Sequence, residues 1–256
     1  SRDGDWSESY VVRLIDWHLK EQETMPWLTG TAYWPFKDFS TPVRPDNPVP
    51  YVNQKGVVER DFTPKESYYV FQSYWTEKPM IHIYGHTWSV RWGEKDDPKE
   101  ILVYSNCDEV ELFVNGVSQG VKRRNSQDYP AAGLRWNCVY REGMNEIRAV
   151  GVKKKEKKEV SDVIRQEYQT AKWDKEAVCQ VSLLSEEGDT ALVQVQLIDK
   201  NGIRCLSSKK QITFEIAGNG SLICNLGTST GSRKVQAYNG RALIRVKRNG
   251  GNSLVA

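Results

Sequence analysis

The sequence has no apolar run near the ~20 residues needed to span a bilayer, and Ser1-Arg2-Asp3-Gly4-Asp5 leads into no apolar stretch of the kind a signal peptide carries. It has little excess charge: a net +3 at pH 7 is too small to point to nucleic acid or an anionic membrane as a partner. Its five cysteines (Cys107, Cys138, Cys179, Cys205, Cys224) include no C-x-x-C pair, which argues against a zinc site or a disulfide-dense scaffold. An isolated bridge, such as Cys107 to Cys138, stays open. No G-x-S-x-G, reactive-cysteine signature, P-loop or dinucleotide fingerprint is present, so no local motif marks nucleophilic catalysis or a nucleotide cofactor. Of three histidines, His82 and His86 lie four apart, but Ile83-Tyr84-Gly85 between them reads as strand. That spacing is too wide for easy chelation of one zinc, and no third ligand is in view. Neither a metal nor a cofactor is expected.

What is there is an ordinary soluble composition, 39% hydrophobic and 27% charged, in 256 residues, enough for one large domain or two to three smaller ones. Aromatics are unevenly spread: Trp6, Trp17, Trp27, Trp34, Trp75, Trp88 and Trp92 fall before residue 95, and only Trp136 and Trp173 follow. With a change of hydrophobic period, this asymmetry predicts a boundary near residue 79.

The first segment reads as helix, strand, long loop, helix. Asp5 and Glu8 form a capping-box pattern, and Val11, Leu14, Ile15 and His18 share a helical face on which His18 is a partly buried structural residue. Pro26 ends that helix. Trp27 to Trp34 then alternates as a buried strand with Trp34 at its open end, burial being the plain alternative role for this tryptophan. The connection from Ser40 to Phe62 holds Pro42, Pro45, Pro48 and Pro50, and a loop this long in a compact domain is usually functional. The carboxylates of the loop region, Asp38, Asp46, Glu59 and Asp61, show no acid/base spacing. Thr63-Pro64-Lys65-Glu66 predicts the start of a second helix, with Thr63 as its cap.

From about residue 80 the period is two. Val110, Leu112 and Val114 alternate into an Asn115-Gly116 hairpin, Asn145 to Val150 is a strand, and Lys153 to Lys158 is a solvated turn. Past a polar joint at Lys172-Trp173-Asp174-Lys175, Ala191, Val193, Val195 and Leu197 alternate with Leu192, Gln194, Gln196 and Ile198. Asp199 to Gly202 is then a turn, and Ile212 to Ile216 and Arg241 to Val246 are strands.

Pro26-Trp27-Leu28-Thr29-Gly30-Thr31-Ala32-Tyr33-Trp34, Asp38-Phe39, Asn53-Gln54-Lys55-Gly56, Arg60-Asp61, Pro64-Lys65, Tyr68-Tyr69 and Ser73-Tyr74-Trp75 follow in order. This series resembles the end of the catalytic barrel of family-two glycoside hydrolases, the β-galactosidase and β-glucuronidase group. Val103-Tyr104-Ser105-Asn106-Cys107 and Glu111-Leu112-Phe113-Val114-Asn115-Gly116 resemble the accessory sandwich of its large bacterial members, and residues 176–256 an invasin-like sandwich. The resemblance implies three parts. Residues 1–78 would be the C-terminal segment of a (β/α)8 TIM-barrel glycosidase domain, 79–173 an immunoglobulin-like β-sandwich, and 174–256 a second, invasin-like one.

It also implies a retaining β-glycosidase working through two carboxylates about 5–5.5 Å apart. Both family glutamates sit on earlier barrel strands and match no position here. The expectation is therefore a C-terminal fragment with no catalytic residue, inactive alone, with the missing N-terminal part as partner or self-association in its place. Trp34 would flank the sugar, and Asn53 and Lys55 would contact it, with Tyr51 and Arg44 as weaker candidates. The plain alternatives are a turn residue at Asn53 and a solvent-facing lysine at Lys55. The leading activity is β-galactosidase-like cleavage of terminal β-linked sugars from oligo- or polysaccharides in a periplasmic or secreted setting. The alternatives are a β-uronidase, in which Asn53 and Lys55 bind the sugar carboxylate, and a non-catalytic sandwich module that binds carbohydrate or surfaces.

Overall fold

The computed structural model describes residues 8–43, 52–123, 133–223 and 233–256. Asp5, Trp6, Arg44, Asp46, Tyr51 and Cys224 lie outside them. The protein is mostly β-sheet with few helices. Two compact units divide the chain: Ser1–Trp34 with Pro64–Thr170, and Pro35–Thr63 with Ala171–Ala256.

In the first unit, the helix Glu8–Glu23 buries Val12, Ile15, Asp16 and Leu19, a stripe at helical spacing. The expected face included Leu14 and His18, but Leu14 is 41% exposed and His18 is exposed, with its ring edge-on to Trp17 at 4.9 Å. The buried stripe is thus rotated toward Asp16, because Asp16 accepts the Tyr74 hydroxyl at 3.0 Å from the second helix, Glu66–Trp75. That second helix starts later than the sequence suggests. Lys65 occupies the cap position and makes no side-chain cap bond, and the Glu8 carboxylate accepts the Glu66 N–H at 3.2 Å. A carboxylate from outside the helix satisfies an orphan donor and the positive end of the dipole, the work expected of Thr63.

Trp27 to Trp34 is not a strand. No strand pairs with it among the described residues, and Trp27 and Trp34 are 75% and 69% exposed. Period-two alternation gives a strand only where a partner takes the backbone bonds.

The rest of this unit is a two-sheet sandwich. One sheet pairs Ile81–Ile83, Lys99–Ser105 and Gly133–Cys138. The other runs in the order Val90–Trp92, Lys158–Gln169, Gly143–Lys153, Glu109–Val114, Val117–Arg123. Ile83 and Val103 from the first sheet and Val110, Leu112, Ile147 and Ala149 from the second are fully buried in one shared core. Asn115 and Gly116 form the expected two-residue hairpin, with φ of 52° and 80°. Positive φ at both positions matches the twist of the flanking strands, which is why Asn-Gly is favoured there. Cys107 and Cys138 are buried free thiols, so the bridge left open by the sequence is not made.

In the second unit, Glu176–Glu187, Thr190–Asp199, Arg241–Lys247 and Ser221–Leu222 form a sheet in that order. Val193, Val195, Ala242, Ile244 and Val246 pack inward against Phe214. The expected strand from Ile212 to Ile216 is broken in two. Gln211–Thr213 pairs with Lys234–Gln236 and Ile216–Gly218 with Ser253–Val255, with fully buried Phe214 at the switch. Asp199 closes the following turn by accepting the Asn201 and Ile203 N–H groups, both at 2.8 Å.

The shared core fixes a stability expectation. Leu112→Ala should lower the unfolding free energy of the first unit by about 2–5 kcal/mol. Val121→Ala, on an exposed position of the same sheet, should change it by less than about 0.5 kcal/mol. Urea titrations of the two variants measure the difference.

Candidate functional site

The candidate loop lies in the second unit, on a short frame that the chain meets twice. Phe39 pairs antiparallel with Asn53 and Ser40 with Val52. After a turn the chain returns on the other side, where Lys37 bridges Val58 in parallel. The Asp38 N–H donates to the Val58 carbonyl at 3.1 Å, and the Val57 and Val58 N–H groups donate to the Phe36 carbonyl at 2.9 and 3.1 Å. Residues 53–58 are therefore tied at both ends to one five-residue stretch.

Inside that turn two side chains take two successive amides. Asn53, buried, accepts the Lys55 N–H on its Oδ1 at 3.1 Å, an Asx turn. Asp38, also buried and 18 residues away in sequence, accepts the Gly56 N–H on Oδ1 at 2.8 Å. Lys55 stands between these bonds and is exposed. The Asn53 side-chain amide donates to no described residue. Gly56 is required by close approach: a Cβ there would sit 2.4 Å from the Asp38 nitrogen and 2.6 Å from the Lys37 carbonyl carbon.

The structure thus brings Asn53 and Lys55 together on one braced turn. Trp34 belongs to the first unit and is 69% exposed, and an indole has a flat apolar face of the kind that stacks on a pyranose ring. Sequence reasoning singled out all three but missed Asp38 as the partner of Gly56, since nothing in local spacing links two residues so far apart.

A second polar cluster lies in the first unit. The strand expected to run through His82 and His86 ends at Ile83, and Gly85, at φ +103°, turns the chain back. The His86 ring then stacks on His82 at 4.6 Å, with planes 12° apart, and His82 stacks on Tyr69 at 3.5 Å. His82 Nε2 bonds Glu66 at 2.9 Å, where both residues are buried, and His86 Nε2 bonds Asp162 at 2.7 Å. Asp162 also accepts the Ile83 N–H at 2.7 Å, and Glu66 the Gly85 N–H at 3.0 Å. One donor atom each from His82, His86 and Asp162 lies within 4.8 Å of the others. Asp162 is a third ligand type that the sequence does not bring into view, 76 residues from His86. The geometry still opposes chelation: ring lone pairs lie in the ring planes, and two nearly parallel planes cannot both aim at one ion ~2.1 Å away. The cluster is a hydrogen-bonded brace between the second helix, the turn and the sheet.

Comparison with known proteins agrees with the family resemblance of the sequence. Residues 178–255 match the model of glycoside hydrolase family 2 C-terminal domain 5, and residues 96–160 match a domain of unknown function, DUF4982. The structure superposes with a TM-score of 0.93 on a crystal structure of Parabacteroides merdae β-glucuronidase with glycerol in its active site. That protein is 96% identical, over 100% of this chain and 32% of its own. A putative β-glucuronidase of Formosa agariphila is 47% identical over 97% of this chain and 30% of its own length. A β-galactosidase of Bacteroides ovatus is 29% identical over 94% and 29%. The chain spans about a third of the length of each of these relatives. It belongs to glycoside hydrolase family 2.

The histidine brace makes stability depend on pH. The bond to Asp162 raises the His86 pKa above the ordinary 6.5, against the opposing effect of burial. Burial opposes ionisation of Asp162, but its bonds to His86 and the Ile83 N–H outweigh this and lower its pKa below the ordinary 3.8. The His86 contribution is therefore complete below pH 6.5 and is lost as pH rises through the raised value. The Asp162 contribution is complete above pH 3.8 and is lost as pH falls through the lowered one. His86→Gln should flatten the fall in Tm between about pH 6 and about pH 8. An unchanged Tm profile would remove His86 as its source.

Proposed function

We propose that this chain supplies substrate contacts to a retaining β-glycosidase whose preferred substrate is a β-glucuronide. The observation that carries the reading is the Asn53–Lys55 turn. A buried asparagine whose side-chain amide donates to no described residue and an exposed lysine are held two residues apart on a doubly braced loop. A sugar carboxylate presents two oxygens and a full charge, and one amide N–H with one ammonium answers both. A neutral galactose has no group that uses the charge.

The β-glucuronidase names of the relatives at 96% and 47% identity support the uronide. β-Galactosidase activity, the leading sequence expectation, keeps the support of the Bacteroides ovatus relative. It stands as the second reading.

Trp34 contributes a stacking face for a pyranose ring. In this reading the helices Glu8–Glu23 and Glu66–Trp75 are closing elements of a (β/α)8 barrel, and the sheets of the two units are immunoglobulin-like sandwiches. The nucleophile and the acid/base come from glutamates with no counterpart in this sequence. The 256-residue polypeptide alone therefore turns over no glycoside, and its setting is periplasmic or secreted.

In the full-length enzyme, Lys55→Ala should lower kcat/KM for a nitrophenyl β-glucuronide by roughly 10- to 100-fold, the range of a lost charge-assisted hydrogen bond. The corresponding galactoside should lose much less. Equal losses on the two substrates would remove the carboxylate role and return the balance to the galactosidase reading.

A further inference from the structure

We propose that Asp38 is the positioning residue for the sugar-acid contacts, acting through Gly56 to fix where Asn53 and Lys55 stand. The inference rests on the uronide reading above and extends it to a residue that touches no substrate.

Three observations carry it. Asp38 is 4% exposed, too deep to serve as a surface carboxylate. It holds the far side of the turn twice, with its side chain on the Gly56 N–H at 2.8 Å and its own N–H on the Val58 carbonyl at 3.1 Å. The near side is set by its neighbour Phe39, which pairs with Asn53. The Lys55 backbone thus lies between an amide held by Asn53 and an amide held by Asp38, so neither flank of the lysine can shift alone. The contact at Gly56 is so close that any side chain there would push the turn off Asp38.

An acceptor at this position orders the loop before substrate arrives, and such preorganisation is felt where a small displacement of a charged contact matters. Losing the acceptor leaves Gly56 without its partner and lets the ammonium wander. The cost falls on the substrate that carries the carboxylate. Asparagine keeps an oxygen that can accept the Gly56 N–H, so Asp38→Asn should retain the arrangement that Asp38→Ala loses.

The test measures glucuronide and galactoside turnover by the full-length enzyme, together with hydrogen exchange of the Gln54 to Val57 amides. Asp38→Ala should reduce the glucuronide-over-galactoside preference by roughly 10- to 100-fold, mainly through KM, and speed exchange at Lys55 and Gly56. Asp38→Asn should restore most of both. If Asp38→Ala fails to fold, Gly56→Ala provides the same displacement with the carboxylate intact and should give the same loss of preference. An equal fall on both substrates, or unchanged exchange at Gly56, would overturn the positioning role. Lys55→Ala run in parallel separates the two ideas. Selectivity lost there but kept in Asp38→Ala refutes Asp38 alone, whereas selectivity kept in Lys55→Ala refutes the uronide reading itself.

Discussion

Strands that bury every second side chain are the constraint to which the rest of this protein conforms. In the first unit Val110, Leu112 and Val114 point inward from one strand and Ile147 and Ala149 from its neighbour. In the second, Val193, Val195 and Leu197 do the same opposite Ala242 and Ile244. A register slip of one residue would turn each of these sets to water, so burial and pairing specify each other. The turns are left as the places where polar groups can be arranged without cost to the core.

Buried polar side chains then fix those turns. Asn106 accepts the Met80 N–H at 2.9 Å and donates to the Thr76 and Lys78 carbonyls at 2.8 and 2.7 Å, tying the exit of the second helix to the first strand of the sandwich. Asn145 accepts the Arg141 N–H and donates to the carbonyls of Arg141 and Gly143 at the start of the central strand Gly143–Lys153. Asp199 does similar work in the second unit, and Asp38 does it in the candidate loop. Each answers backbone groups of a neighbouring irregular stretch, where an unmet buried amide would cost about 1–3 kcal/mol. The same device that secures an ordinary turn in the sandwiches holds the exposed Lys55 between two bonded amides.

The legible part of the molecule was the part governed by local rules. The Asn115-Gly116 hairpin, the Lys153 to Lys158 turn and the alternation from Ala191 to Leu197 follow from positive φ preferences and period-two burial, and the structure has all of them. What failed depended on a distant partner. Trp27 to Trp34 has the pattern of a strand but none pairs with it among the described residues, and the Glu66 N–H at the start of the second helix is taken by Glu8, 58 residues away, in place of Thr63. His82 and His86 looked too widely spaced to act together, until Gly85 turned the chain and stacked their rings. The candidate site divides in the same way: Asn53 and Lys55 were singled out by the family resemblance of a local run, whereas the bond from Gly56 to Asp38 spans 18 residues and has no local signal.

That division gives the N-x-K-G run a physical reading, residue by residue. Asn53 is an Asx-turn residue whose oxygen is spent on the Lys55 amide, while its side-chain nitrogen donates to no described residue. Gly56 is there because Asp38 approaches too closely for a Cβ. These two are explained by the loop's own geometry. Lys55 enters the turn through its backbone, whose N–H Asn53 takes, while its side chain is exposed. A turn built from buried, mutually dependent residues presents that side chain at the surface. In the proposed uronide reading that ammonium is assigned to the carboxylate of a sugar acid, the anion that an amide N–H and an ammonium two residues apart would suit.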